Sequence, residues 1–166
     1  MLLAIFSALY PRGPVVHAGV GYMFRMTPPS GWFQVAPAPG IVAQYAQNEA
    51  RLTLTVLPKG KRKAEAVIDE ALTEAKKAIP DSLAAAAGSF RTEYEGTGFL
   101  FAVGPKESEG KRFLFAFYDT PIHVVTVGLS APNREAQTLA LDKFASYVRS
   151  FGFVTEKVVP KLKTSG

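Results

Sequence analysis

The chain has 166 residues, of which 48% are hydrophobic and 20% charged, and its formal net charge is +5. This length and composition fit one globular domain with a buried core, and they exclude extensive disorder. The chain contains no cysteine, which excludes disulfides, thiolate metal sites, iron–sulfur clusters and thiol nucleophiles. Only His17 and His123 remain for imidazole chemistry, and their wide separation argues against a histidine-rich metal site. We therefore expect no cofactor and no metal.

The basic residues are concentrated in two segments of the chain. Residues 51–63 contain five cations and no acid, and residues 157–163 contain three lysines. A nucleic-acid-binding protein would usually add exposed aromatic residues or a groove-reading helix to such patches, and neither is evident in the sequence. Nucleic acid is therefore not an expected partner.

The N-terminal segment, residues 1–21, leaves two interpretations open. Residues 2–9 are an apolar run too short to span a bilayer, and the small residues Val16 and Ala18 suit an export signal cut after Ala18. Against export, no lysine or arginine precedes the run and Pro11 follows it closely, which favours an N-terminal strand or arm. The protein is exported or periplasmic under the first interpretation and cytoplasmic under the second. No segment reaches transmembrane length.

Alternating apolar and polar residues predict strands in the first third of the chain. These strands cover residues 22–26, 32–35, 41–47 and 51–57, and a polar turn at Asn48-Glu49 joins the last two. From Ala64 to Ile79 the apolar residues recur at helical spacing instead. Acids in the first half of this segment and lysines in its last turn complement a helix dipole, and Pro80 marks its end.

The rest of the chain predicts four more strands and a second helix. The strands cover residues 90–94, 98–103, 111–119 and 122–130, whereas the alanine-rich residues 83–87 are ambiguous. Both faces of residues 113–117 are apolar, which indicates a central strand covered on both sides. Asn133 is a helix N-cap, and an apolar stripe runs from Ala140 to Phe151. Because most strands lack intervening helices, we predict an α+β domain: an αβα sandwich with a mainly antiparallel sheet of six to seven strands.

Three short motifs follow one another in a characteristic order. Residues 24–26 run into Thr27-Pro28-Pro29-Ser30-Gly31-Trp32, residues 52–56 precede a helix and Pro80, and a closing helix leads into residues 146–153. This order resembles the PsbP-like superfamily, which includes the extrinsic photosystem II protein, the Ran-binding Mog proteins and bacterial DcrB-type proteins. The resemblance implies an αβα sandwich over residues 22–153, followed by a basic tail at 154–166. It also implies a protein that binds another protein and is not known for catalysis.

Two groups of side chains are candidates for partner binding. The first is a cationic loop just before the predicted helix, formed by Lys59, Lys61, Arg62 and Lys63. Such a cluster suits an anionic lipid or an acidic protein surface, and the alternative is a loop that is simply solvated. The second group is Trp32 with Phe33, for which core packing beneath the Pro-Pro turn is the alternative.

The motifs that suggest catalysis are weak. His123 shares a strand face with Val125 and Val127, which is typical of a buried or edge histidine. Gly96-Thr97-Gly98 lacks the third glycine and the following helix of a phosphate loop, so a tight turn is expected. The paired acids Glu93 and Glu95 flank this turn, where exposed acids are ordinary. Three serines lack a nucleophile elbow, namely Ser30, Ser130 and Ser150.

The sequence therefore indicates a non-enzymatic protein-binding module, exported or associated with the cell envelope. A first alternative is a cytosolic adaptor or chaperone for a secreted partner, of the kind that loads type VI effectors. That role would suit the apolar residues 99–103 and 113–118 if one face of these strands were uncovered. A second alternative, from another class, is a hydrolase that uses His123 with a carboxylate.

Overall fold

The computed structural model describes residues 13–94 and 96–154. The first half of this region contains β1 (Val15–Gly19), β2 (Tyr22–Met26), β3 (Phe33–Val35), β4 (Ala43–Gln47), β5 (Ala50–Pro58) and α1 (Ala64–Lys77). The second half contains β6 (Leu83–Arg91), β7 (Thr97–Gly104), β8 (Arg112–Asp119), β9 (His123–Ala131), α2 (Arg134–Arg149) and β10 (Gly152–Phe153).

The strands form two antiparallel sheets. The larger sheet has seven strands in the order β3-β4-β5-β9-β8-β7-β6, and the smaller has three in the order β1-β2-β10. The two helices lie on opposite faces of the larger sheet, because their buried residues belong to separate core clusters. The predicted α+β class, with helices packed on an antiparallel sheet, is confirmed.

The core on the α2 side is the larger of the two. Leu52 and Leu54 of β5 are fully buried there, together with Val127 and Leu129 of β9. These residues lie directly opposite one another in the sheet, so period-two alternation on both strands directs them to one face. The small sheet covers the same face and contributes Phe24 and Met26 to this core. This face is therefore covered by both α2 and the small sheet.

The core on the α1 side is smaller. Val67, Ile68 and Leu72 of α1 pack with three buried sheet residues, namely Val103, Phe117 and Val124. Three phenylalanines occupy alternate positions of β8 on this face, and the centroids of their neighbouring rings lie 5.5 and 5.8 Å apart. Phe117 is fully buried, but Phe113 and Phe115 are only partly buried. The predicted cover of β8 is therefore incomplete on the α1 side.

The two helices begin differently. The Asn133 side chain accepts a hydrogen bond from the backbone N–H of Ala136 at 2.9 Å, so the predicted N-cap of α2 is confirmed. At the N-cap of α1 stands Lys63, whose side chain makes no capping hydrogen bond. Packing of the apolar stripe of α1, rather than its cap, must therefore stabilise that helix.

The strand predicted over residues 90–94 is displaced in the structure. β6 covers Leu83–Arg91, so it includes the alanine-rich segment that the sequence left ambiguous. It ends where the chain turns back, because the backbone N–H of Thr92 donates to the Gly96 carbonyl and the Gly96 N–H donates to Thr92 Oγ1, both at 2.8 Å. Alanine has little intrinsic preference for strands, and pairing with β7 overrides that preference.

The domain begins before residue 22, the boundary expected from the sequence. β1 pairs with β2 over five residues, from Val15 opposite Met26 to Gly19 opposite Tyr22. The two strands are joined by a two-residue turn in which Gly21 has φ +77°, a conformation that favours glycine. β1 therefore belongs to the folded domain. The apolar run at residues 2–9 and the tail from residue 155 lie outside the described residues.

Both histidines contact aromatic rings of the small sheet, His17 from β1 and His123 from the start of β9. The centroid of the His17 ring lies 5.5 Å from that of Phe24, and the His123 ring meets Tyr22 edge-on at 5.5 Å. The His17 side chain is buried, and within the part of the chain that the structure describes its Nε2 atom has no hydrogen-bond partner. Burial without a polar partner disfavours the charged ring and lowers the pKa of His17 below its ordinary value of 6.5.

We predict that His17 makes the protein less stable in acid. Below pH 6.5 the unfolded chain binds a proton at His17 more readily than the folded chain does, so the free energy of unfolding falls as the pH falls. Replacing His17 by glutamine removes this contribution, because glutamine does not titrate. Urea denaturation at about pH 7.5 and about pH 5.5 should therefore show a smaller loss of stability in His17→Gln than in the wild type. An equal loss in both proteins would contradict the prediction.

Candidate functional site

The cationic loop is partly neutralised by acids of the same chain. Lys59 Nζ lies 2.5 Å from Asp119 Oδ1, and the Lys59 side chain is only 12% exposed. Arg62 Nη1 lies 2.6 Å from Glu70 Oε2, at the surface. The Arg62 guanidinium also donates to the carbonyls of Pro58 and Lys59, and these bonds link the two ends of the loop. Two of the four candidate cations therefore have structural partners.

The other two loop cations, Lys61 and Lys63, are exposed and form no ion pair with a described residue. Their positive charge lies beside the N-terminus of α1, where the helix dipole is also positive. The loop therefore retains a local positive potential, but a weaker one than its four cations imply.

The structure places Trp32 in the core. Its side chain is 1% exposed and packs in the α2-side cluster. The proposed role of Trp32 in partner binding is therefore wrong, and the alternative of core packing beneath the Pro-Pro turn is correct. Phe33, the next residue, begins β3 and is 42% exposed. Alternation along the chain thus sends these two neighbouring rings to opposite sides.

The residues considered for catalysis have different hydrogen-bond partners and do not form one site. No hydrogen bond or ion pair joins His123 to a carboxylate among the described residues, and its backbone pairs with Thr120. Ser150 Oγ accepts from the Thr27 N–H at 2.8 Å and donates to the Tyr147 carbonyl at 2.7 Å, which ties β2 to the end of α2. Ser30 Oγ accepts from Lys143 Nζ at 2.5 Å.

The remaining candidates for catalysis are also separated. Ser130 is part of β9, opposite Arg51 in β5. Gly96 lies in the turn that leads into β7 and Gly98 lies in β7 itself, so a strand and not a helix follows the turn. Glu93 lies in the same turn and its backbone N–H donates to the Arg149 carbonyl, whereas Glu95 lies outside the described residues. The structure brings none of these described residues together with His123.

The most exposed element of the large sheet is β6, which the sequence analysis did not single out. Residues 83–89 are all exposed, Phe90 is half-buried, and the charged Arg91 comes last. In the described part of the chain, β6 pairs with β7 and with no other strand, so its outer edge is open. The signal available in the sequence was a run of small uncharged residues, which predicts neither helix nor strand clearly.

The described ranges contain neither a cluster of metal ligands nor a helix suited to crossing a membrane. No group of three or more histidine, aspartate or glutamate side chains there is arranged to hold a metal ion. Among the same residues, no helix combines the length and the apolar character needed to cross a membrane.

Solved structures of two other proteins have the same fold. The chain is similar to the cyanobacterial PsbP protein of Synechocystis, with a TM-score of 0.57 and 14% sequence identity over 87% of this chain and 94% of that chain. It is also similar to the Ran-binding protein Mog1p of Saccharomyces cerevisiae, with a TM-score of 0.55 and 13% identity over 89% of this chain and 98% of that chain. No protein-family model and no curated protein matches the chain in sequence. The fold relationship expected from the short motifs is confirmed.

We predict that any binding of the cationic loop to anionic membranes depends on its two unpaired lysines. Lys61→Gln/Lys63→Gln removes two exposed charges, whereas Lys59→Gln/Arg62→Gln removes two charges that Asp119 and Glu70 already offset. Sedimentation with phosphatidylserine vesicles at low and high salt should show the larger loss of binding in the first variant. A larger loss in the second variant, or binding that is insensitive to salt, would contradict this assignment.

Proposed function

We propose that this chain, which has the fold of cyanobacterial PsbP and Mog1p, is a non-enzymatic module that binds a protein partner by strand addition at β6. The observation that carries the proposal is the open outer edge of this nine-residue strand. An open edge offers backbone N–H and C=O groups that another extended chain can pair with.

The composition of β6 suits such pairing. Residues 83–90 contain no charge and no proline, the two features by which proteins most often protect an edge. Half of these residues are alanine and one is glycine, so they present little steric hindrance to a strand laid alongside. Partner recognition would then rest on main-chain hydrogen bonds, with selectivity supplied by the surroundings.

The opposite edge of the same sheet is protected. β3 has only three residues, and Pro37 and Pro39 follow it closely. A short edge followed by prolines offers few pairing groups to another chain. The contrast between β3 and β6 supports β6 as the edge that is available for a partner.

A bulge limits the length of the available edge. The register of β6 against β7 shifts between Ala86 and Gly88, and Gly88 has φ +117°. A bulge bends the strand and increases its twist, so a partner strand is expected to pair with one side of it. Residues 83–86 form the regular stretch on the N-terminal side.

The pairing of β1 with β2 bears on the export interpretation. A cut after Ala18 would remove most of β1 and with it the buried His17. Processing of an export signal without loss of this strand would need a cut before Val15. An exported or envelope-associated module and a cytoplasmic one are both compatible with strand addition.

The test begins by identifying the partner at β6. A photo-crosslinking residue at Ala84, in the cells that naturally make the protein, should capture a partner that the same residue at the exposed Leu139 of α2 does not. The purified partner should then bind at least about tenfold more weakly to a variant with proline in β6.

Proline is to be placed at Ala84 and, separately, at Ala85. Backbone N–H groups of successive strand residues point to opposite sides, so one proline removes a bond to β7 and the other an outward donor. The variant that keeps the stability of the wild type is the informative one. Unchanged affinity in that variant, or equal crosslinking from Ala84 and Leu139, would refute strand addition.

A second candidate function, an adaptor that shields apolar segments of its partner, is favoured by a groove on the α1 side. The groove has a volume of about 410 Å³ and lies between α1 and the sheet. Leu57, Val67, Ala71 and Phe115 are among its apolar lining residues, and Arg62, Glu70 and Glu74 are its charged ones. Phe99 lies on the same face of the sheet, opposite Phe117, and is 46% exposed. Partly covered aromatic surface of this kind suits an apolar ligand.

This second candidate predicts binding of a hydrophobic dye to the groove. Anilinonaphthalene sulfonate should fluoresce with the folded protein, and Ala71→Glu should abolish most of the signal by placing a carboxylate among the apolar lining residues of the groove. Thr73→Glu is the control, because it adds the same charge to an exposed position of α1. Negligible fluorescence with the wild type, or equal loss in both variants, would count against the adaptor function.

A further inference from the structure

A small cavity lies beside the N-terminal end of β6, on the side where α2 begins. Its volume is about 230 Å³, and Leu83 and Ala85 of β6 form part of its wall. The polar wall consists of Lys106, Arg112, Arg134 and Gln137. Three of these four side chains are cations, and no aspartate or glutamate among the described residues lines the cavity. Its polar wall therefore offers hydrogen-bond donors and positive charge.

Arg112 is the buried member of this group, with 7% of its surface exposed. Its Nη2 atom donates to the carbonyls of Pro105 and Glu107 in the β7–β8 loop. Its Nε atom is buried without an acceptor, and no described carboxylate lies within ion-pair distance of the guanidinium. Because neutral carbonyls are its only protein partners in the described ranges, its charge is not compensated by an acid.

The first turn of α2 adds two more donors to the same cavity. Arg134 Nη2 donates weakly to the Lys106 carbonyl at 3.4 Å, and its guanidinium is otherwise at the surface. The Nε2 atom of Gln137 is buried and has no acceptor among the described residues. The positive end of the α2 dipole lies at this turn as well. Polar residues of β8, the β7–β8 loop and α2 thus line one small volume.

We propose that this cavity binds a carboxylate group of the polypeptide that adds to β6, either a C-terminus or an acidic side chain. A guanidinium and a carboxylate match in charge and in planar geometry, and they commonly form paired hydrogen bonds. The cavity adjoins the N-terminal end of β6, so a chain that pairs antiparallel with residues 83–86 carries its C-terminal end toward the cavity that Arg112 lines from β8. The proposal rests on strand addition at β6 and adds the chemistry that selects the partner.

The first experiment tests the cavity with a simple carboxylate. The Nε–H resonance of Arg112 is followed by ¹H–¹⁵N NMR while sodium acetate replaces sodium chloride at constant ionic strength. We expect a saturable shift with acetate. An absent or unsaturable shift would overturn the proposal, and so would saturation by inorganic phosphate alone.

Matched variants separate a specific site from general charge. Arg134→Gln should weaken acetate binding roughly two- to fivefold, because it removes one partly exposed cation from the cavity wall. Arg91→Gln removes the same charge at the other end of β6, away from the cavity, and should leave binding unchanged. Both residues are exposed, and both variants keep the buried Arg112 that holds the β7–β8 loop, so the fold should be unaffected. Equal effects of the two variants would overturn the proposal.

The second experiment separates failure of the cavity from failure of strand addition. Acetylated tetra-alanine with a free carboxylate should shift both the Arg112 Nε–H resonance and the amide resonances of residues 83–86. Its affinity should be at least about tenfold higher than that of the same peptide with an amidated C-terminus. If both peptides shift the β6 amides alike and Arg112 does not respond, the carboxylate site is refuted while strand addition stands. If Arg112 responds to acetate but neither peptide shifts the amide resonances of residues 83–86, strand addition is refuted. The proposal that the bound carboxylate belongs to a chain paired with β6 is then refuted as well.

Discussion

β5 and β9 pair along eight residues, from Arg51 opposite Ser130 to Pro58 opposite His123, although α1 and three strands lie between them in the chain. This pairing joins a three-stranded meander, β3-β4-β5, to a four-stranded one, β9-β8-β7-β6. Each meander can form from local hairpins, but the sheet is complete only when these two strands meet. Their meeting also fixes which strands become the edges. β6 is exposed along its length because it ends the second meander.

The same pairing determines how the two faces are covered. Leu52 and Leu54 face Leu129 and Val127 across it, and α2 and the small sheet close over them. On the other face the single helix α1 packs mainly with residues of β7, β8 and β9, which leaves a groove toward β5. The exposed edge and the groove are thus consequences of one topology.

Sequence patterns predicted the elements that depend on local signals. The period-two strand at β5, the amphipathic α1 and the Asn133 cap all follow from a few neighbouring residues. The errors occur where distant contacts decide. β6 is a strand because β7 pairs with it, and Trp32 is buried because α2 and the sheet close over it. Likewise, nothing near Arg112 in the sequence indicates that it is buried. The cavity exists only once the β7–β8 loop and α2 meet, so the candidate site was less predictable than the fold.

The bulge in β6 has a further consequence, for solubility. A straight edge in which eight consecutive residues, 83–90, are uncharged would be a template on which sheets of many copies could stack into fibrils. The shift in register after Ala86 and the left-handed Gly88 bend that edge and divide it into two short stretches. A single short strand can still pair with one stretch, whereas growth of a continuous intermolecular sheet would have to cross the bend. One glycine in a left-handed conformation thus helps to keep a binding edge from becoming an aggregation site.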